Sequence, residues 1–209
     1  TYANAAPLRI QSQVNAGNPA NRVDILVLGD GYTASQQGLF DADAQILHDS
    51  FFGLRPYKDY RNFVNWTTGF IASKQSGATH PPYQAGCTQN TCCSDTAAQS
   101  DPLAGQVVNN RFDARFCTYQ VHRLVTINYP ALMAAASAYP DWDEVMVVVN
   151  DPVYGGAGGP YSLTTTEQSA DQIVLHEYGH SFSKLADEYY YPGSGTPSCD
   201  DASNTSPCP

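Results

Sequence analysis

The 209-residue chain is long enough for one full domain or two lobes around a cleft, and its 42% hydrophobic and 11% aromatic content supports a packed core and excludes wholesale disorder. Acidic residues outnumber basic ones 20 to 10, and the net charge of −10 argues against nucleic acid or an anionic membrane surface as the partner. The purest apolar runs, residues 145–149 and 25–28, are of strand length, so no transmembrane helix is expected.

In chain order, residues 22–28 read as a buried strand, followed by the loop Gly29-Asp30-Gly31. Thr33 and Gln36 have capping-box spacing and predict a helix carrying Leu39, Phe40, Ile46, Leu47 and Phe51. A strand is predicted over residues 63–72. Residues 73–102, with Gly77, Pro81, Pro82, Gly86 and three cysteines, read as a disulfide-stapled insertion. Residues 121–128 predict a strand, 130–139 a short helix opened by Pro130, and 145–150 a central strand. The glycines at 155, 156, 158 and 159 predict a flexible loop before an edge strand at 161–165. The last helix is expected over residues 169–185, with Ser169 and Gln172 as a capping box and Val174, Tyr178, Phe182 and Leu185 as its buried stripe. The segment 192–209 is turn-rich. Strands alternating with helices imply an α+β fold, a mixed twisted sheet packed by helices, as a single domain spanning 1–209.

Six cysteines (Cys87, Cys92, Cys93, Cys117, Cys199 and Cys208) form an even set in Gly/Pro/Ser-rich surroundings, which favours disulfides and an extracellular compartment. Cys199–Cys208 is the one local pair expected. The chain begins with Thr1, as a processed product would, and Asn65 and Asn204 open formal glycosylation sequons.

The chemistry concentrates at 176–180, where His176-Glu177-Tyr178-Gly179-His180 reads H-E-x-x-H. On a helix, residues four apart share a face, so both imidazoles can reach one metal ion, while Glu177 is turned about 100° and can touch a metal-held water. Zn2+ is the expected ion, because it takes imidazole and carboxylate ligands in a four-coordinate site. For a third ligand, the position six residues past His180 is Ala186, which cannot bind metal. Asp187 is preferred as a short carboxylate past the helix end, and Glu188 remains open. Gly155–Gly159 lacks phosphate-loop spacing, and the cysteines lack zinc-ribbon spacing. His48, His80 and His122 stand isolated in sequence. Asp30 reads first as a turn former, with calcium binding or orientation of the site as alternatives; Asp200-Asp201 reads as a solvated turn.

LGDGYT at 28–33 and HEYGHSFSKLADEY at 176–189 together resemble the IgA-peptidase family of zinc metallopeptidases, whose usual active-site run is close to HEFGHSFGGLADEY. The resemblance spans most of the chain in order. It implies a metzincin-like zincin lobe and a secreted zinc endopeptidase, with His176, His180 and Asp187 as ligands and Glu177 as general base. Two departures stand out. Ser183-Lys184 occupies the family's Gly-Gly, so residues bearing a Cβ must make the turn after the helix. Met133 and Met146, the only methionines, both precede the zinc helix, so the expected methionine turn is missing and the sequence reads as a fragment, a processed product or a reduced variant.

The leading expectation is hydrolysis of a protein or peptide substrate laid along the strand at 161–165, with Tyr189, Tyr190 or Tyr191 as candidate oxyanion donors. A zinc hydrolase of a non-peptide amide or glycoconjugate is the second reading. A metal-holding binding module without catalysis is the third, and the intact Glu177 weighs against it.

Overall fold

The computed structural model describes residues 9–86, 88 and 91–186. Its centre is a six-stranded mixed sheet in the order β1-β3-β2-β4-β6-β5, built from β1 (Arg9–Val14), β2 (Val23–Asp30), β3 (Val64–Phe70), β4 (Glu144–Val149), β5 (Gly156–Ala157) and β6 (Ser162–Thr165). The four inner strands β3, β2, β4 and β6 run parallel, and an antiparallel strand closes each edge. Helices α1 (Gln37–Gly53), α2 (Tyr129–Ala136) and α3 (Ala170–Ser181) pack against the sheet.

Period-two alternation along the inner strands divides the core into two layers. Ile25, Val27, Met146 and Val148 face one side, where α1 and α3 cover them with Phe40, Leu47, Phe51, Val174 and Tyr178. Leu26, Leu28, Val145, Val147 and Val149 face the other, under Phe112, Phe116, Val125 and Leu132. Parallel inner strands buried on both faces explain the apolar runs in the sequence. The Thr33–Gln36 capping box forms as the spacing predicts, closing one 3-10 turn before α1 begins at Gln37.

Several expectations change. β1, whose polar sequence RIQSQV carries little pattern, is an additional edge strand. Residues 121–128 do not form a strand: Leu124 bridges Gly156 while Thr126 bridges Arg115, so the segment is split between two partners. The Gly-rich loop supplies the outer strand β5, which moves β6 one place inward. Leu39 and Ile46 of α1 are exposed, and Ala44, His48 and Phe52 are buried in their place. Helix α3 ends at Ser181, which leaves Phe182 and Leu185 outside its buried stripe and exposed. Ser169 makes no side-chain cap, so the second capping box does not form. Asn65 lies inside β3, its amide donating to Asp24 Oδ1 at 2.9 Å, so its sequon is not presented to a glycosyltransferase in the folded protein.

Between β3 and β4 the described residues from 71 to 143 form short helices and isolated bridges, so the irregular stretch extends well past the expected 73–102. A Cys92–Cys117 disulfide crosses it, and Cys93 is also disulfide-bonded. Cys199–Cys208 lies outside the described residues. Two carboxylates at the carboxyl ends of β2 and β4 hold this stretch. Asp30 Oδ1 accepts from the backbone N–H groups of Gly31 (2.9 Å), Arg111 (2.7 Å) and Phe112 (3.0 Å) and from Ser73 Oγ (3.1 Å), while Oδ2 accepts from Ala114 N–H (3.1 Å). Burial pushes the Asp30 pKa up to about 6 against the pull of these donors. Asp151 accepts from Ala78 and Val153 N–H and from His80 Nε2 at 2.9 Å.

His80 and His122, separate in sequence, belong to one buried chain. His80 Nδ1 faces Asp101 Oδ2 at 2.7 Å, and the same oxygen meets His122 Nε2 at 2.8 Å. Both ring nitrogens of His80 face carboxylate oxygens, an arrangement that favours the imidazolium. Burial opposes that charge, but Asp151 and Asp101 outweigh it and raise the His80 pKa; at Asp101 burial is likewise outweighed, by hydrogen bonds from His122 and His80, and its pKa is lowered.

Two outcomes are expected. Asp30→Asn sets an amide NH2 against the Ala114 N–H and should cost about 1–3 kcal/mol of unfolding free energy, read by urea titration at pH 7.5. His80→Gln should cost about 3 kcal/mol at pH 6. Because the folded pKa of His80 is raised, its contribution is complete below the unfolded value of 6.5 and is lost as pH climbs through the folded value. The gap between wild type and His80→Gln should therefore narrow in urea titrations at increasing pH above 6.5.

Candidate metal centre

Helix α3 divides its residues among three surroundings by four-residue spacing. Val174 and Tyr178 enter the core, where the Tyr178 ring meets Phe51 at 5.2 Å and Tyr57 at 5.5 Å. Ile173 and Glu177 turn toward β5, and His176 and His180 face a groove of about 670 Å³. Asp171 in the first turn complements the helix dipole. At the far end, Ser181 Oγ donates to Glu144 Oε1 at 2.6 Å and ties the helix to β4. Burial raises the pKa of Glu144.

The motif residues come together. His176 Nε2 and His180 Nε2 are 3.0 Å apart, and the ligand atoms of His176, Glu177 and His180 lie within 4.8 Å of one another. Two nitrogens bound to one tetrahedral zinc at about 2.0–2.1 Å are separated by roughly 3.3 Å, so the pair fits one ion. His180 Nδ1 lies 2.7 Å from the Leu185 carbonyl. Donation there places the proton on Nδ1 and leaves Nε2 with its lone pair toward the groove, which is how a second partner orients a ligating imidazole.

Glu177 is buried under β5. A Cβ built on Gly158 would lie 2.7 Å from His180 Cβ and 2.9 Å from Glu177 Oε2, and one on Gly156 would lie 2.6 Å from Ile173 Cγ2 and 3.3 Å from Glu177 Oε1. The glycines of this loop therefore serve close approach of strand to helix, with the carboxylate at the contact. Their spacing in the sequence signalled flexibility; the packing role needed the helix beside them.

After α3 the chain turns through Lys184 at φ +57°, and Leu185 N–H donates to the Gly179 carbonyl at 3.1 Å. This is the turn at which Ser183-Lys184 replaces the family's glycines, and Lys184 takes a left-handed conformation while carrying a Cβ. Its Nζ donates to the Ser181 carbonyl. Asp187, Glu188, the three tyrosines at 189–191 and Asp200-Asp201 lie outside the described residues. Arg123, Tyr57 and Tyr154 also line the groove; none was a candidate from sequence, because each comes from a segment far from the motif with no spacing to connect it. Among the described residues no helix is long and apolar enough to cross a membrane.

Compared with known proteins, residues 11–204 match the model of the family described as IgA Peptidase M64. No curated protein matches the chain.

Lys184→Gly removes the Cβ from a left-handed residue and should raise unfolding free energy by about 0.5–1 kcal/mol, measured by the urea midpoint.

Proposed function

The chain belongs to the IgA peptidase M64 family, and from that premise we propose that it is a secreted, zinc-dependent endopeptidase. The observation that carries the reading is the pair of imidazole nitrogens 3.0 Å apart with Glu177 beside them under the sheet edge. Membership makes it a peptidase acting on protein or peptide. His176 and His180 would hold the zinc, with Asp187 as third ligand and Glu188 the alternative. The chemistry a bound zinc supplies is Lewis-acid polarisation of the scissile carbonyl and acidification of water.

The chain's own residues do the rest. Glu177, the general base in this reading, accepts a proton from water and passes it to the leaving amine nitrogen. Its position beside the two imidazoles at the groove suits both transfers, since a peptide bound in that groove brings its scissile bond near the carboxylate. The Leu185 carbonyl holds the His180 ring in one tautomer. Ile173 and Gly156 pack beside Glu177 and limit water at that side of the carboxylate. Extracellular location is supported by the Cys92–Cys117 bridge and the bonded state of Cys93.

Native mass spectrometry and peptide cleavage test this together. Wild type should carry one zinc per chain, and His176→Ala should lose it. Glu177→Gln should keep the zinc while kcat/KM on a quenched-fluorescence peptide library falls about 10²–10⁴-fold. Undiminished cleavage by Glu177→Gln, or a zinc-loaded wild type that cleaves no peptide, would overturn the reading.

A further inference from the structure

Helix α3 has a fourth row of side chains besides those turned to the core, to β5 and to the candidate metal centre. Leu175 and Gly179, four residues apart, lie between the core row of Val174 and Tyr178 and the row of imidazoles, on the flank away from Glu177. Both line the groove, and Tyr57 and Leu185 line it with them.

Gly179 is costly where it stands. A glycine inside a helix is less favourable than an alanine, because it loses more backbone freedom on folding. Close packing accounts for the glycines at 156 and 158, where a Cβ would lie 2.6 and 2.7 Å from its nearest neighbour. At Gly179 a Cβ would meet, among the described residues, only Leu185 Cδ1 at 3.6 Å, which is ordinary contact. Its backbone is helical, so no left-handed turn calls for glycine either. What the missing Cβ leaves is room in the groove, directly beside His180.

The surroundings of that room are apolar, and one of them is fixed. The Tyr57 ring stacks on Phe51 at 4.4 Å and meets Tyr178 edge-on at 5.5 Å. A ring held against two others loses little freedom when a ligand packs on it. Leu185 keeps 49% of its surface exposed, so apolar area is left for a ligand to cover. None of Tyr57, Leu175, Gly179 and Leu185 carries a charge.

We propose that this flank is a specificity subsite that takes a large apolar side chain of the substrate, with Gly179 leaving the room for it. This rests on the peptidase reading above. A peptide whose scissile bond lies at the imidazoles has a neighbouring side chain within reach of Gly179, and a single added methyl group on the floor of such a subsite excludes the larger residues first.

The test uses one peptide cleaved by the zinc-loaded protein, with Ala, Leu or Phe placed in turn at each position flanking the cleaved bond. At one position the ratio of kcat/KM for Phe or Leu over Ala should exceed unity in wild type and fall about tenfold or more in Gly179→Ala. Tyr57→Ala should lower the same ratio, and Tyr57→Phe should restore it. Gly179→Ala should also unfold at a higher urea concentration than wild type, so that its lost preference is not lost structure. The same peptides, fluorescently labelled, are titrated by anisotropy against Glu177→Gln with and without Gly179→Ala. If wild type cleaves nothing, the peptidase reading fails and this binding comparison alone decides the subsite. An equal loss on Ala, Leu and Phe peptides in Gly179→Ala would assign the glycine to the spacing of the imidazoles and overturn the proposal. Ratios and affinities indifferent to Gly179→Ala, or a wild-type preference for Ala, would overturn it as well.

Discussion

A stretch of more than seventy residues, with no sheet strand among its described residues, has to satisfy its backbone by some means other than a ladder, and here buried carboxylates join scattered backbone–backbone bonds in doing so. Asp30 and Asp151 sit where β2 and β4 end, side by side in a parallel sheet; Asp30 gathers the N–H groups of Arg111, Phe112 and Ala114, and Asp151 takes the Ala78 N–H and the His80 ring. An unpaired buried N–H costs as much as a lost hydrogen bond, and a carboxylate with two oxygens accepts several at once. The sheet therefore fixes the excursion, and the excursion covers the sheet face formed by Leu26, Leu28, Val145 and Val147. His80 extends the arrangement by joining Asp151 to Asp101, and Asp101 joins His122. The residue after His122 is Arg123, which lines the groove. Through these few bonds the carboxyl end of β4 is connected to a segment that lines the groove.

The candidate metal centre depends on a second constraint, the closeness of α3 to β5. Tyr178 and Val174 anchor the helix by burial, and this alone would fix its axis but not its approach to the strand. The absence of side chains at Gly156 and Gly158 lets the strand come within contact of Ile173, Glu177 and the His180 Cβ. Glu177 is thereby confined between helix and strand and stays beside the two imidazoles. A carboxylate in this position lies where the helix meets the sheet edge, in contact with both.

Much of this was legible in the sequence because its strongest signals are short-range. The i, i+4 histidines, the Thr33–Gln36 cap and the apolar runs of β2 and β4 each rest on one helical turn or one strand, and each forms as its spacing predicts. The errors are of another kind. β5 is two residues of glycine and alanine, with no pattern of its own, and becomes a strand only because β6 lies beside it. Val125 and Ile127 are buried as a strand reading requires, yet their backbone serves two different partners. His80 and His122 looked isolated because the carboxylates that complete their chain are 21 to 71 residues away. Asp30, read first as a turn former, accepts from residues more than eighty positions on. Long-range polar pairing leaves no periodicity to read.

The turn after α3 shows how a departure from the family pattern is accommodated. A left-handed residue with a Cβ costs on the order of 1 kcal/mol, so a lysine at this point would be expected to relax the turn. It does not, because several bonds hold the loop closed: Leu185 N–H to Gly179, the Leu185 carbonyl to His180 Nδ1, and Lys184 Nζ to the Ser181 carbonyl. Relaxing Lys184 would release the carbonyl that fixes the His180 tautomer. Residues held in a sparsely populated backbone region persist where the surroundings over-determine them. Here the surroundings include the helix end, tied through Ser181 to Glu144, and a candidate metal ligand, so the loop that strains Lys184 is the same loop that orients His180.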